Sequence, residues 1–240
     1  MLKAIFFDLD DTLIDHDSAI RDATGALFDR VLPDREQERT AFTERWIVLN
    51  REWYKKFFAG QVTFQESGRG KLREAFSIYG CSFEDTEVDV LLAEYWEDYI
   101  SRCQVFDDVT ECLAKLHKYK IGVVTNGQEL QQIEKLQRCG ILPYLDIVVT
   151  SEKARVAKPN AEIFLQACSH LEVQTEESMF VGDNLELDAI AAKKVGMVGI
   201  WLNRYRVKLE DTPRRVKRIS RLTEISEILA DFENVREKLK

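Results

Sequence analysis

The chain has 240 residues, enough for one large domain or a core with a smaller companion, and its 45% apolar and 32% charged residues are those of a globular protein. A net charge of −8 argues against nucleic acid as a partner, because nucleic-acid binders carry a basic face. No run of 18 apolar residues and no basic leader with a long apolar stretch behind it occurs, so neither a membrane span nor a secretory signal is expected. The five cysteines, Cys81, Cys103, Cys112, Cys139 and Cys168, are odd in number and form no C-x-x-C pair, so they read as reduced thiols of a cytoplasmic protein.

Ala4 to Phe7 is an unbroken apolar run that enters an acidic turn, which reads as a strand buried on both faces. Asp8, Asp10 and Asp11 crowd into that turn beside Thr12. Gathering carboxylates at the end of a buried strand costs free energy unless a cation neutralises them. Mg²⁺ suits the position, since it takes hard oxygen ligands together with water and phosphate. Residues 16–101 then read as an all-helical insert, with helices over about 18–31, 36–58, 64–78 and 85–101. Phe42, Trp46, Leu49, Trp53 and Phe57 recur at three- and four-residue steps and form a bundle core stripe. Arg45, Arg51, Lys55, Lys56, Arg69 and Arg73 read as the wet face of these helices, with capture of an anionic leaving group as the other reading.

From residue 105 strands and helices alternate. Asp108 and Glu111 read as a capping box before a helix over about 109–118. Ile121–Thr125 is a strand with Thr125-Asn126-Gly127 as its exit, followed by a helix over about 128–138 that puts Leu130, Ile133 and Leu136 on one side. Ile147–Val149 is a strand, 151–158 a loop, and Pro159 opens a helix to about Leu171. Met179–Val181 is a strand ending at Gly182-Asp183-Asn184, followed by a helix over about 186–195 and a last strand over 198–202. The basic run Pro213–Arg218 reads as solvated surface, and Ile219, Leu222, Ile225 and Leu229 as a terminal segment and helix docked on the core. The whole predicts an α/β fold, a Rossmann-like doubly wound parallel sheet built from 1–15 and 102–240, with an all-helical domain inserted over 16–101. In such sheets the polar clusters that follow each strand converge at one edge, although they are far apart in sequence.

Asp8, Asp10, Asp183, Thr125 and Lys158 with Mg²⁺ make a phosphoryl-transfer set. Asp8 can attack phosphorus, and Asp10 can give a proton to the leaving oxygen and later take one from water. Asp8, Asp183 and a backbone carbonyl can hold the metal. Thr125, Lys158 and nearby backbone N–H groups can bind phosphoryl oxygens, with Gly127 letting the backbone come close. Asp11 and Asp15 read as turn caps, Thr12 as a tie within the loop, His16 as a hinge or surface residue, and His117 and His170 as structural.

Asp8-Leu9-Asp10-Asp11-Thr12, Thr125-Asn126, Lys158-Pro159 and Gly182-Asp183-Asn184 with Asp188 resemble, in order, the four motifs of the haloacid dehalogenase superfamily of phosphatases, in the branch with a helical cap. The Thr-Asn-Gly form is similar to the nucleotidase-like and N-acylneuraminate-9-phosphatase-like group. The resemblance implies Asp8 as nucleophile and metal ligand, Asp10 as acid and base with its carbonyl on Mg²⁺, and Asp183 as the remaining ligand. It implies Leu9, Asp10, Thr125, Asn126, Gly127 and Lys158 around the phosphate, and Thr12, Asn184 and Asp188 behind them. Asn184 stays open between supporting residue and metal ligand, and so does any direct contact of Asp188 with the metal. The helical insert is then a mobile cap that selects a small phosphorylated metabolite, such as a nucleoside monophosphate or sugar phosphate. A haloacid dehalogenase, a phosphomutase and a non-catalytic binding protein are the alternatives, of which Asp10 disfavours the first. Monomer and homodimer are both open.

Overall fold

The computed structural model describes residues 1–207 and 216–237, with side chains to residue 232. Its elements begin with β1 (Ala4–Phe7), α1 (His16–Val31), α2 (Arg39–Phe58), α3 (Phe64–Ser77) and α4 (Asp85–Arg102). There follow α5 (Val109–Lys115), β2 (Lys120–Thr125), α6 (Glu129–Arg138), β3 (Ile147–Thr150), α7 (Ser151–Ala154), α8 (Ala161–His170) and β4 (Ser178–Gly182). A π-helical turn (Leu185–Ile190), α9 (Ala191–Lys194), β5 (Val198–Leu202), β6 (Lys217–Ile219) and α10 (Ile225–Glu237) complete the order. The chain divides into two compact units, Met1–His16 with Gln104–Lys240, and Asp17–Cys103.

The first unit is a six-stranded sheet in the order β3-β2-β1-β4-β5-β6, parallel throughout. The order reverses between β1 and β4, and doubly wound sheets bind ligands outside the carboxyl ends of the strands at such a switch point. β1 and β4 are buried along their whole length, which is why their sequences are apolar without alternation. Phe6, Val124, Phe164, Phe180 and Met197 share one core cluster, with Phe164 and Phe180 edge to face at 5.0 Å.

Several local expectations give way to longer-range contacts. Asp108 forms no capping box; its carboxylate accepts from both terminal nitrogens of Arg204 at 2.9 and 3.0 Å and from the Leu222 N–H at 2.7 Å. A buried fork of charge-assisted bonds outcompetes a single exposed cap. Pro159 does not open α8; Asn160 caps it by accepting from the Glu162 N–H at 3.0 Å. The loop after β3 holds α7, capped by the Thr150 hydroxyl. The expected helix over 186–195 starts as a wide π turn, and such turns recur where a side chain must be re-aimed. The end of the basic run, Lys217-Arg218, lies exposed in edge strand β6, while Pro213, Arg214 and Arg215 fall outside the described residues. No helix among the described residues is long and apolar enough to cross a membrane.

The second unit is helical. Phe28, Phe42 and Phe76 interlock at centroid distances of 4.9 and 4.5 Å, and Trp46 meets Tyr95 at 5.0 Å. Only the first half of the α2 stripe is fully buried, since Trp53 and Phe57 stay half-buried. Arg69 and Arg73 pair with Asp85 and Asp89 on the helical surface. Lys71, 8% exposed, donates to Asn50 Oδ1 at 2.8 Å and lies 4.4 Å from the Trp46 ring centre, with no ion pair among the described residues.

Burial pushes the Lys71 ammonium down to about 7 from its ordinary 10.5. Between those values the unfolded chain binds the extra proton, so this group favours folding more as pH rises. Lys71→Met should therefore have a higher urea midpoint than wild type at pH 6.5, and the gap should narrow by pH 9.5. A gap that is constant with pH would contradict the assignment.

Candidate active site

Asp8 continues the β1 ladder by one residue, its N–H donating to the Val181 carbonyl of β4 at 2.9 Å. The chain then folds back at once. The Leu9 carbonyl accepts from the Leu13 and Ile14 N–H groups, and the Asp11 N–H donates to the Ile14 carbonyl at 2.8 Å. Asp11 takes a left-handed φ of 60°, a conformation that Asp tolerates better than bulkier residues. This turn buries Thr12, whose hydroxyl accepts from the Asp183 N–H at 3.0 Å and lies 3.2 Å from Asp8 Oδ2 and 3.4 Å from Asp183 Oδ1. Its single proton serves one of these carboxylates at a time. Leu9 is buried in the core side of the turn.

Asp8, Asp183 and Asp188 each bring an oxygen within 4.8 Å of the others, a set that could hold a metal ion. The Lys158 ammonium stands 2.5 Å from Asp8 Oδ1 and 2.7 Å from Asp188 Oδ1. Burial pushes the Asp8 carboxyl up to about 7 although Lys158 pulls it down, and the Asp188 and Asp10 charges add to the rise. Burial, then Asp8, Asp188 and Asp11, push Asp183 up to about 8. Burial works against the Lys158 charge, but Asp188 and then Asp8 outweigh it and raise its pKa. One lysine thus leaves three crowded carboxylates short of positive charge.

The surrounding residues fix this cluster from behind. Asn126 accepts from the Lys158 N–H at 2.8 Å and donates to the Lys158 carbonyl at 3.1 Å, so its side chain holds the lysine's backbone. Asn184 Oδ1 caps the π turn at the Glu186 and Leu187 N–H groups, while its own N–H donates to Asp188 Oδ2 at 3.0 Å. Asp188 therefore has both oxygens engaged by protein donors. Gly182 is obligatory beneath it, since a Cβ there would lie 2.3 Å from Asp188 Oδ2. Arg204 donates to the Thr12 carbonyl at 2.8 Å and stacks 4.0 Å from the Phe106 ring centre, which ties the acidic turn to the Asp108 ion pair.

Asp10 lies to one side, with its carboxylate 26% exposed. Lys135 Nζ donates to its two oxygens at 2.6 and 2.8 Å, Gln132 Nε2 lies 3.3 Å from Oδ2, and His16 Nδ1 is 3.9 Å from Oδ1. Desolvation pushes the Asp10 carboxyl up, but Lys135 and then His16 outweigh it and hold it down at about 2. Asp10 is thus a carboxylate here. Gln132 also donates to the Thr125 hydroxyl at 2.8 Å, which can still give its own proton. The Gly127 N–H donates to Ser151 Oγ at 2.9 Å, and a Cβ at this position would lie 2.7 Å from Gln132 Nε2.

Sequence reasoning missed Gln132, Lys135, Arg204 and the role of Asp108. It put Leu130, Ile133 and Leu136 on one side of α6; Leu130 is 84% exposed, and the buried positions are Gln132, Lys135 and Leu136. The available signal was the placement of Gln132 and Lys135 three residues apart in the helix that follows Thr125.

Residues 2–196 match the haloacid dehalogenase-like hydrolase family model. A glyceraldehyde 3-phosphate phosphatase of Methanopyrus kandleri is 30% identical over 85% of this chain and 85% of its own. An N-acylneuraminate-9-phosphatase of Mus musculus is 25% identical over 97% of this chain and 95% of its own, in keeping with the branch that the Thr-Asn-Gly form resembles. Among solved structures, an L-2-haloacid dehalogenase of Xanthobacter autotrophicus superposes with a TM-score of 0.73 at 20% identity, covering 96% of this chain and 99% of its own, a likeness of fold alone. With the acidic turn after β1, the hydroxyl at the end of β2, the lysine ahead of α8 and the aspartate after β4 gathered at one sheet edge, the chain belongs to the haloacid dehalogenase-like hydrolase family.

Proposed function

We propose that the protein is a Mg²⁺-dependent phosphatase that hydrolyses a small phosphate monoester through an aspartyl phosphate on Asp8. The observation that carries this reading is the cluster of Asp8, Asp183 and Asp188 around the single Lys158 ammonium at the switch point of the sheet. The donor set fits the metal: buried carboxylate oxygens lie within 4.8 Å of one another, and burial together with the neighbouring carboxylates raises the Asp8 and Asp183 pKa values, which leaves the cluster short of one hard cation. Asp8 and Asp183 would hold it with the Asp10 carbonyl, and when bound it supplies positive charge to the phosphoryl oxygens. Asp188, whose oxygens serve Lys158 and the Asn184 N–H, orients the lysine instead.

In the first half-reaction an Asp8 oxygen bonds to phosphorus, the bond from phosphorus to the ester oxygen breaks, and that oxygen takes a proton from Asp10. In the second, water bonds to phosphorus, the aspartyl bond breaks, and the Asp10 carboxylate takes the water's proton. Lys158 and Thr125 bind the phosphoryl oxygens, and Lys158 keeps Asp8 from repelling the substrate. The close contact with Lys135 suits the second half-reaction, where Asp10 must be ionised. Donation in the first requires Asp10 to separate from Lys135. The helical unit, residues 17–103, is proposed as the substrate-selecting cap that the resemblance implies. The similarity to phosphatases of phosphorylated trioses and acylated sugars supports a small metabolite as substrate.

Hydrolysis of p-nitrophenyl phosphate tests this reading. Turnover should require Mg²⁺, stop with EDTA, and fall about 10³-fold or more in Asp8→Asn. Turnover that survives Asp8→Asn would sink the mechanism, and halide release from chloroacetate without phosphatase activity would favour the dehalogenase reading. A second test needs no turnover. Raised folded pKa values at Asp8 and Asp183 mean that the folded state binds the extra protons, so their contribution to stability is full below the ordinary carboxylate range and is lost as pH climbs to about 7 and 8. Mg²⁺ should therefore raise the melting temperature more at pH 8 than at pH 5.5, and Asp183→Asn should abolish the difference. An equal shift at both pH values would rule out this cluster as the metal site.

A further inference from the structure

Three observations around α6 converge on Asp10. Gln132 and Lys135 lie one helical turn apart and are only 2% and 4% exposed, while Leu130 on the same helix faces water. Burying an amide and an ammonium in place of apolar side chains lowers stability unless their bonds are used. Lys135 spends its ammonium on both oxygens of Asp10, and Gln132 spans Asp10 and Thr125 with one nitrogen. The other end of that amide, Gln132 Oε1, is buried with no hydrogen-bond partner among the described residues. An orphaned buried acceptor costs more than an apolar group of the same shape, so the residue is not there for stability. Gly127 completes the arrangement, because any larger residue would displace the Gln132 amide.

We infer that Gln132 and Lys135 are positioning residues for Asp10, setting the place and direction of its carboxylate against Thr125 and so governing the proton transfers assigned to it. This rests on the phosphatase reading above. Lys135 grips both oxygens and fixes where Asp10 returns between proton transfers. Gln132 fixes the distance between the Asp10 carboxylate and the Thr125 hydroxyl that faces the phosphoryl group in that reading. Neither side chain needs to touch the substrate, so their loss should appear in kcat and not in KM.

The test is a set of double-mutant cycles on the full-length protein with saturating Mg²⁺ and p-nitrophenyl phosphate. Lys135→Met should lower kcat about 10-fold or more and Gln132→Leu about 5-fold, each a part of the roughly 10²–10⁴-fold contribution of general acid–base catalysis. KM should stay within about twofold, and in an Asp10→Asn background either change should alter kcat less than about twofold, because residues that act through one group are not additive. Lys135→Arg should recover part of the loss. Gln132→Leu should melt no lower than wild type, and it keeps the test open should Lys135→Met fail to fold. Losses that persist in full in the Asp10→Asn background, or that follow the melting temperature, overturn the inference. Wild-type turnover that survives Asp8→Asn overturns the phosphatase reading itself, a result that the cycles cannot mimic.

Discussion

The Lys158 ammonium stands between Asp8 and Asp188 with almost no access to water, and the rest of the site is arranged around that contact. A buried ammonium or carboxylate loses several kcal/mol of hydration, which attraction offsets only when the geometry is good and the remaining donors and acceptors are paired. Lys158 meets this condition twice, through two carboxylates that themselves accept from Thr12 and from the Asn184 N–H. Asp183 does not meet it: no lysine or arginine among the described residues forms an ion pair with it, and burial with Asp8, Asp188 and Asp11 beside it raises its pKa against the pull of Lys158. The site is thus built one positive charge short, at the point of the sheet where a ligand can be admitted.

Holding such a cluster takes contacts from far along the chain. Pairing of β1 with β4 puts Asp8 beside the strand that leads to Asp183. Thr12 then locks the two exits together by accepting from the Asp183 N–H. Arg204, from beyond β5, holds the Thr12 carbonyl and is itself fixed by Asp108 from before α5. Asn126 clasps the backbone of Lys158, and the π turn swings Asp188 under Gly182. Each supporting residue engages backbone groups or a second charge, which leaves the Asp8 and Asp183 oxygens facing one another. Preorganisation of this kind lets an electrostatic site act without reorganising when charge develops.

The sheet and the cluster were legible in the sequence because each depends on short patterns. Apolar runs such as Ala4–Phe7 and Met179–Val181 have no stable place except a doubly covered sheet, and polar residues at their exits must meet at one edge. What the sequence hid depends on partners far away. Asp108 carries a local capping signal, yet Arg204, 96 residues on, takes its carboxylate. Helical periodicity puts Leu130, Ile133 and Leu136 on one side of α6, but the helix is rolled so that Leu130 is exposed while Gln132 and Lys135 meet Asp10, more than 120 residues earlier. In each case a charged or amide contact outweighed the hydrophobic or capping preference that periodicity measures.

The same fold carries dehalogenases, so neither the sheet nor the aspartate after β1 decides between a carbon–halogen and a phosphate ester bond. The leaving groups differ in their need for a proton. Halide departs without one, whereas an alkoxide is a poor leaving group unless its oxygen is protonated as the bond breaks. A second carboxylate beside the nucleophile is therefore of use with an ester and superfluous with a halide. This chain has Asp10 and also buries around it a lysine and an amide whose oxygen is unpaired among the described residues, an arrangement that lowers stability relative to an apolar α6 face. Such a sacrifice is intelligible where proton transfer governs turnover, and that condition fits a phosphate monoester.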